Sequence, residues 1–162
     1  MNLELKTYLD SIGMKYVLHK HKAFFKYDDG KFLRETIRGM HTKSLFLKDG
    51  KCHFYLICIN GDKRLDMKTI TKLINAGKLR FGSAEELMQE LHTTPGSVSI
   101  FGVLHAKKTD LILDKEIWDS ETVCFHPEIN TETLEIMHDD FQKFYSLVAA
   151  KKEIAELIAR RN

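Results

Sequence analysis

A polar turn between two apolar runs constrains the fold of this chain more than any other feature. Residues 45–47 predict a buried strand, and the polar stretch 48–51 predicts the turn that ends it. The run 52–59 is almost wholly apolar and aromatic, so it predicts the returning strand of a β-hairpin. Lys43 then lies at the entrance of the first strand, where a fixed cation can bind a phosphate or polarise a carbonyl. The alternative is a solvated surface lysine without a specific role.

Composition limits the functions open to the chain. It has 162 residues, enough for one domain with its own core, and a net charge of only +2. Contact with a nucleic acid therefore has to come from a local patch. No apolar run approaches the roughly 20 residues of a membrane span, and the N-terminus lacks the apolar core of a signal peptide. Cys52, Cys58 and Cys124 lie in apolar runs, which predicts buried free thiols in a reducing cytoplasm.

Helices and strands are interleaved along the rest of the chain. Apolar periodicity predicts helices at 3–12, 65–76 and 139–160, and Ser83 with Glu86 has the pattern of a capping box. Apolar runs predict further strands at 16–18, 98–104, 110–114, 122–125 and 131–136. We therefore predict an α+β fold, a mixed β-sheet packed by helices, as a single domain over residues 1–162. Its C-terminal helical extension, from about residue 148, would pack on the domain or contact another chain.

A basic segment with two histidines follows the first predicted helix. His19 and His21 are two residues apart, so a strand would place them on the same side. A metal could use such a pair, but no third ligand is evident, and we predict no metal and no cofactor. A basic edge that contacts RNA phosphates is the other possibility. The candidate tRNA-binding cations are Lys20, Lys22, Lys26, Arg34 and Arg38.

No familiar catalytic or nucleotide-binding motif occurs in the chain. Cys124 and His126 could pair as nucleophile and base, but a thiol in an apolar run has a raised pKa and little reactivity. His126 and Asn130 follow a strand end, where they either face a pocket or form a structural turn. The loop 96–99 either holds a carbonyl or a water by main-chain groups or is an ordinary loop.

Three segments together resemble a known family. They are residues 39–49, with His41-Thr42-Lys43-Ser44 at their centre, residues 94–98 and residues 125–133. In this order and spacing they resemble the freestanding prolyl-tRNA editing proteins of the YbaK/ProRS-associated-domain superfamily, in particular the alanyl-specific PrdX/ProX-type deacylases. The resemblance extends from about residue 16 to residue 144.

The resemblance implies a trans-acting aminoacyl-tRNA deacylase that hydrolyses mischarged tRNA(Pro), with Ala-tRNA(Pro) as the expected substrate and Cys-tRNA(Pro) as an alternative. It implies that Lys43 holds the tRNA 3′ end, that the glycine loop positions water and the ester carbonyl, and that His126 shapes the amino-acid pocket. The implied catalytic residues are Lys43, Gly96, Ser97 and His126, and the implied substrate-binding residues are His41, Thr42, Ser44, Val98, Ser99 and Asn130. No metal and no covalent intermediate are implied. The resemblance implies tRNA as a partner and leaves prolyl-tRNA synthetase open as a second one. Neither a membrane nor DNA is an expected partner.

The chain departs from the family pattern at the expected site. Ile100 stands where the family usually has proline, and Ser44 stands where asparagine is common. Near His21, Lys22 and Lys26 replace the usual proline and threonine. These departures keep open a rival function, a non-catalytic module that holds an aminoacyl-tRNA end or a synthetase.

Overall fold

The computed structural model describes residues 1–161, with the backbone alone for residues 159–161. The helices are α1 (Leu3–Ser11), α2 (Lys31–Thr36), α3 (Met67–Leu73), α4 (Ala84–Leu91), α5 (Lys115–Trp118) and α6 (His138–Leu147), with 3-10 turns at Tyr27–Gly30 and Ile100–His105. The strands are β1 (Val17–Lys20), β2 (Met40–Lys48), β3 (Phe54–Asn60), β4 (Lys63–Leu65), β5 (Arg80–Phe81), β6 (Thr109–Asp114), β7 (Thr122–Phe125), β8 (Glu132–Met137), β9 (Lys152–Ala155) and β10 (Ala159–Arg161).

A mixed sheet organises the described part of the chain. Its strand order is β1-β8-β7-β2-β3-β6-β9, with β5 on the end of β2 and a separate β10–β4 pair. The predicted hairpin is the antiparallel β2–β3 pair, while β7 joins the start of β2 in parallel. Helices cover the sheet, so the predicted α+β class with a mixed sheet is confirmed.

The central strand β3 is buried on both faces. Because side chains alternate along a strand, Phe54, Leu56 and Cys58 enter one core with α1, α4 and α6, whereas Tyr55, Ile57 and Ile59 enter a second core with α3. This double burial explains the nearly continuous apolar run in the sequence. The rigid β2–β3 pair provides the scaffold on which Lys43 is mounted.

The predicted long C-terminal helix is wrong beyond residue 147. Helix α6 ends at Leu147, and the ammonium of Lys152 donates hydrogen bonds to the carbonyl oxygens of Tyr145, Ser146 and Val148. These bonds satisfy carbonyls at the helix end, which otherwise lack partners. The chain then adds β9 in parallel to β6. The C-terminal extension is therefore a sheet edge rather than a contact helix.

Two other local predictions are also corrected. Residues 100–105 form a 3-10 helix rather than a strand, and Gly102 packs against α4, where an added Cβ would lie 3.0 Å from Cβ of Leu91. Cys52 is exposed in the β2–β3 turn with a φ of 58°, whereas Cys58 and Cys124 are buried as predicted. By contrast, the capping box of Ser83 and Glu86 at the start of α4 is confirmed.

Candidate active site

A cleft of about 160 Å³ opens where β2 begins. This is less than the roughly 300–1,000 Å³ typical of ligand pockets, so it can admit only the reacting end of a large substrate. The lining residues are Phe24, Phe25, Lys26, Tyr27, Thr42, Lys43, Ser44, Gly96, Val98 and His126. All three sequence segments that carry the family resemblance therefore meet at one cleft.

Lys43 is a half-buried cation, and no acidic side chain in the described part of the chain pairs with it. Among the described residues its ammonium makes no hydrogen bond or ion pair, and its nearest aromatic contact is the ring of Tyr27, whose centroid is 5.8 Å away. Burial lowers the pKa of Lys43, although the negative charges of Asp28 and Asp62 partly oppose this effect. An unpaired, partly desolvated ammonium is well suited to bind an anionic or carbonyl oxygen.

Tyr27 connects Lys43 to the rest of the scaffold. The guanidinium of Arg34 stacks on its ring at 4.0 Å from the centroid and donates a 2.6 Å hydrogen bond to its carbonyl oxygen. Gly61 follows the end of β3 and also touches this ring. An added Cβ at Gly61 would lie only 1.9 Å from Cε2 of Tyr27, so this position requires glycine. Arg34 is thus occupied within the protein, and a role in tRNA binding would need this stack to open.

His126 forms the wall of the cleft and its tautomer is set by the fold. Its Nδ1 lies 2.8 Å from the carbonyl oxygen of Glu132. A carbonyl can only accept, so Nδ1 carries the proton and Nε2 keeps a lone pair in the neutral ring. Burial lowers the pKa of His126, which favours this neutral form. The ring packs edge-on against Phe24 at a centroid distance of 5.2 Å.

The glycine loop contributes Gly96 and Val98 to the same cleft as Lys43 and His126. Gly96 has a φ of 89°, which favours glycine. The amide of Ser97 donates to the carbonyl oxygen of Thr94, whereas the amides of Gly96 and Val98 have no acceptor among the described residues. Both residues line the cleft, so their amides are the candidate donors to an oxygen bound in it.

The end of this loop is held by buried contacts. Ser99 is 2% exposed, and its hydroxyl donates a hydrogen bond to the carbonyl oxygen of His126. Ile100, at the place of the family's usual proline, is fully buried in the main core. Ile100 therefore anchors the end of the loop in the core, and Ser99 links two loops rather than lining the cleft.

Several predicted site residues lie outside the cleft. His41 bonds the carbonyl oxygen of Ile37 through Nε2 at 3.0 Å, and burial lowers its pKa. Ser97 and Asn130 also do not line the cleft. Within the cleft, Thr42 donates a 2.7 Å bond to the carbonyl oxygen of Cys124, and Ser44 contacts the Cys58 thiol at 3.3 Å. Thr42 thus lines the cleft and also ties β2 to β7, while His41 lines the small cavity that adjoins the cleft.

The predicted basic residues differ in their exposure and in their position relative to the cleft. Lys26 is exposed and borders the cleft, and Lys20 and Lys22 are exposed along and after β1. Arg38 is a solvent-exposed cation 3.8 Å from Glu121, a pair of little energetic weight. Of the five candidates, only Lys26 combines exposure with a place at the cleft.

The histidines considered as a metal pair both have protein partners. His19 Nε2 lies 2.8 Å from the carboxylate of Glu135, and His21 Nε2 lies 2.9 Å from the hydroxyl of Thr133. No group of three metal-ligating side chains is found within residues 1–161. His21 also stacks on Phe24, so it supports the wall of the cleft.

Sequence reasoning missed the aromatic side of the site. Phe24, Phe25 and Tyr27 all line the cleft, but in the sequence they form an apolar run in a segment of ambiguous secondary structure. In the sequence, the only signal that these residues could form part of a site is that aromatic residues lie next to cationic ones. The fold brings this segment against β2 and the glycine loop, which no local pattern predicts.

Comparison with known proteins identifies the class of domain. Residues 31–144 match the family model of the aminoacyl-tRNA editing domain. The prolyl-tRNA editing protein ProX of Acetoanaerobium sticklandii is 30% identical over 138 residues, which cover 83% of this chain and 84% of that protein. The prolyl-tRNA synthetase associated domain-containing protein 1 of Xenopus laevis is 26% identical and is covered over 88% of its length.

A solved structure supports the fold. The crystal structure of a candidate trans-editing enzyme for prolyl-tRNA synthetase aligns with a TM-score of 0.71 over 95% of this chain and 97% of that chain, at 18% sequence identity. Within residues 1–161, no helix has the length and apolarity needed to cross a bilayer.

The fold and cleft define an editing-type hydrolase domain, the enzyme class that the sequence predicted. The chain belongs to the aminoacyl-tRNA editing domain family, and the superfamily assignment made from three motifs is confirmed.

Proposed function

We propose that this protein is a trans-acting deacylase that hydrolyses mischarged tRNA(Pro), with Ala-tRNA(Pro) as its preferred substrate. The single observation that carries the proposal is the ammonium of Lys43, unpaired within the described residues, in a cleft that Gly96, Val98 and His126 also line. The name of the 30% identical relative, a prolyl-tRNA editing protein, supports tRNA(Pro) as the acceptor.

In the proposed reaction, the chain positions an already reactive ester. Lys43 binds an oxygen of the 3′-terminal nucleotide and holds the ester over the glycine loop. A water attacks the carbonyl carbon, and the amides of Gly96 and Val98 donate to the oxyanion that forms. The ribose oxygen then leaves as the C–O bond breaks and takes up a proton, which gives free amino acid and tRNA. The neighbouring ribose hydroxyl assists the proton transfer, so the protein needs no nucleophile of its own.

Selection for alanine would follow from the space beside His126. A second cavity of about 10 Å³ adjoins the cleft and shares Phe24, Tyr27, Thr42 and His126 with it. This volume is close to the minimum of roughly 10–15 Å³ that one water needs. A methyl group suits such a space, while a proline ring would have to displace the packed rings of Phe24 and His126. Exclusion by size is the logic of an editing site, which must spare the correct product.

A deacylation panel tests the proposal. Purified protein is incubated with Ala-, Cys-, Ser- and Pro-tRNA(Pro), and loss of the ester is followed against a protein-free blank. We expect rapid loss of Ala-tRNA(Pro) and none of Pro-tRNA(Pro). Lys43→Ala should lower kcat/KM by about 100-fold or more, the usual effect of removing one charge-stabilising group. Lys72→Ala, an exposed lysine on α3, is the matched control.

Each other outcome of the panel identifies a different function. Faster loss of Cys-tRNA(Pro) than of Ala-tRNA(Pro) would make this a cysteine-specific editor. No turnover of any ester, together with measurable tRNA binding, would favour the non-catalytic module. Full activity of Lys43→Ala would overturn the anchoring role of that residue.

The remaining parts of the proposal concern context. We assign the activity to residues 1–162 as one domain, acting in the cytoplasm on tRNA released by prolyl-tRNA synthetase. Recruitment by that synthetase would explain how a small cleft finds the right tRNA. Co-sedimentation of the two proteins with and without tRNA(Pro) would test this recruitment.

A further inference from the structure

Phe25 is an exposed aromatic side chain at the mouth of the cleft. It is 75% exposed, and it borders the same space as Lys43 and His126. It also lies against the glycine loop, since an added Cβ at Gly96 would lie 3.2 Å from Cδ1 of Phe25. Single exposed apolar residues are common on surfaces, so exposure alone does not indicate a function. The position of Phe25 beside the proposed reacting centre does indicate one.

The preceding residue shows that the exposure of Phe25 is specific to that position. Phe24 turns inward and packs on His126 and His21 at centroid distances of 5.2 and 5.3 Å. Phe24 therefore builds the cleft wall, while Phe25 presents its ring to solvent. Within the described residues Phe25 makes no ring–ring contact of this kind, so its exposed ring is available to a ligand.

Cations stand beside this ring. Lys26 is exposed and lines the cleft next to Phe25, and the unpaired Lys43 lies deeper in the same cleft. Proteins bind single-stranded nucleic acid by combining aromatic rings, on which bases stack, with cations that pair with phosphates. The 3′ end of a tRNA is single-stranded and has to enter this cleft if the proposed function holds.

We propose that Phe25 is the stacking platform for an unpaired base of the tRNA 3′ end, with Lys26 pairing with an adjacent phosphate. This inference rests on the proposed function and adds the residues that hold the nucleic acid outside the reacting centre. Such a platform is tolerant of base identity, because every base has a π-face. It would fix the strand so that the terminal ester reaches Lys43 and the glycine loop.

The test compares variants at position 25 that differ in aromatic surface. Phe25→Ala should weaken binding of tRNA with an intact 3′ end by about 5- to 100-fold, the usual range for loss of one base–aromatic stack. Phe25→Trp should bind as tightly as wild type, while Phe25→Leu, which keeps apolar area without a ring, should remain weak. Phe81→Ala, a 64% exposed phenylalanine on β5 outside the cleft, is the matched control and should not change binding.

Salt dependence separates the two proposed contacts. Lys26→Ala should reduce the slope of log Kd against log salt by about 0.7, the value for one phosphate on a single strand. Phe25→Ala should weaken binding without changing that slope. A tRNA trimmed of its unpaired 3′ nucleotides should bind wild type and Phe25→Ala equally.

The stacking proposal is overturned if Phe25→Leu matches wild type, or if Phe25→Ala weakens binding of trimmed and intact tRNA alike. The first result would indicate a plain apolar contact, and the second a contact elsewhere on the tRNA. Failure of the proposed function has a different signature, which is absence of ester hydrolysis by the wild-type protein. The binding measurements use uncharged tRNA, so they decide the role of Phe25 whether or not hydrolysis is found.

Discussion

The hydroxyl of Ser99 donates a hydrogen bond to the carbonyl oxygen of His126, and this bond ties the glycine loop to the loop that carries the cleft histidine. The two residues are 27 positions apart in the chain. Because Ser99 is buried, water cannot replace the bond when it is lost. The relative position of the free amides and the imidazole therefore depends on this contact.

Ser99→Ala is expected to destabilise the protein by about 1–3 kcal/mol, the cost of leaving a buried acceptor unsatisfied. It should also lower kcat for ester hydrolysis more than it raises KM, because the loops that hold the amides and His126 shift relative to each other. Urea unfolding and steady-state deacylation measure the two effects. Ser97→Ala is the control for stability, since the Ser97 hydroxyl makes no hydrogen bond within the described residues. Equal stability of the two variants would contradict the prediction.

The pH dependence of hydrolysis should report on Lys43. Burial places its pKa below the ordinary value for lysine, so the ammonium loses its proton at a lower pH than a solvated lysine would. Activity that needs the cation is therefore present at neutral pH and falls as pH rises through that lowered pKa. Arginine stays protonated throughout. Lys43→Arg, where active, should lose this alkaline decline.

The measurement is blank-corrected kcat/KM across the alkaline range, since the ester also hydrolyses spontaneously in base. Lys72→Arg on α3 should keep the wild-type profile. An alkaline decline that persists unchanged in Lys43→Arg would assign the titration to another group.

Gly61→Ala should disturb the cleft from outside it. The added methyl would meet the Tyr27 ring at 1.9 Å, so the ring that stacks on Arg34 and faces Lys43 has to move. Overpacking of this kind costs about 1–3 kcal/mol, and deacylation should fall with it. Thermal unfolding and kcat/KM provide the comparison. Gly50→Ala, where an added Cβ meets nothing within 4 Å, should leave both nearly unchanged.

Cysteine labelling should distinguish the one exposed thiol from two buried ones. Burial raises the pKa of Cys58 and of Cys124 to about 12, so neither forms appreciable thiolate in mildly alkaline buffer. Iodoacetamide should therefore modify Cys52 alone in the native protein and all three cysteines in the unfolded one, as counted by mass spectrometry. Cys52→Ser should take up no label when folded and should keep full deacylase activity. Native labelling at Cys124 would show that the strand beneath the cleft opens to solvent.

Much of the scaffold could be predicted from local sequence. The apolar run that becomes β3 has to be buried on both faces, and the capping box at Ser83 specifies a helix start by its own hydrogen bonds. The turn between β2 and β3 follows from its polar residues and glycine. These predictions succeeded because the physical cause of each lies within a few residues of the feature.

Other local patterns were overridden by distant contacts. Apolar spacing continued past Leu147, but the side chain of Lys152 satisfies carbonyls at the end of α6, and β6 offers an edge for residues 152–155. Likewise, residues 100–105 form a 3-10 turn in place of the predicted strand, and Gly102 in this turn packs closely on α4. The periodicity of apolar residues indicates which side chains have to be buried. It does not indicate which other helix or strand they pack against.

The sequence by itself determined the family, the mixed sheet and the identity of Lys43, Gly96 and His126 as the residues of interest. Only the tertiary structure decided that Lys43 has no acidic partner among the described residues, that His41 and Asn130 lie outside the cleft, and that Phe24, Phe25 and Tyr27 line it. The physical reason is the distance along the chain between groups that meet. Parallel pairing of β2 with β7 brings Thr42 against Cys124, 82 residues away, and a cleft made by such pairing has no signature in any one segment.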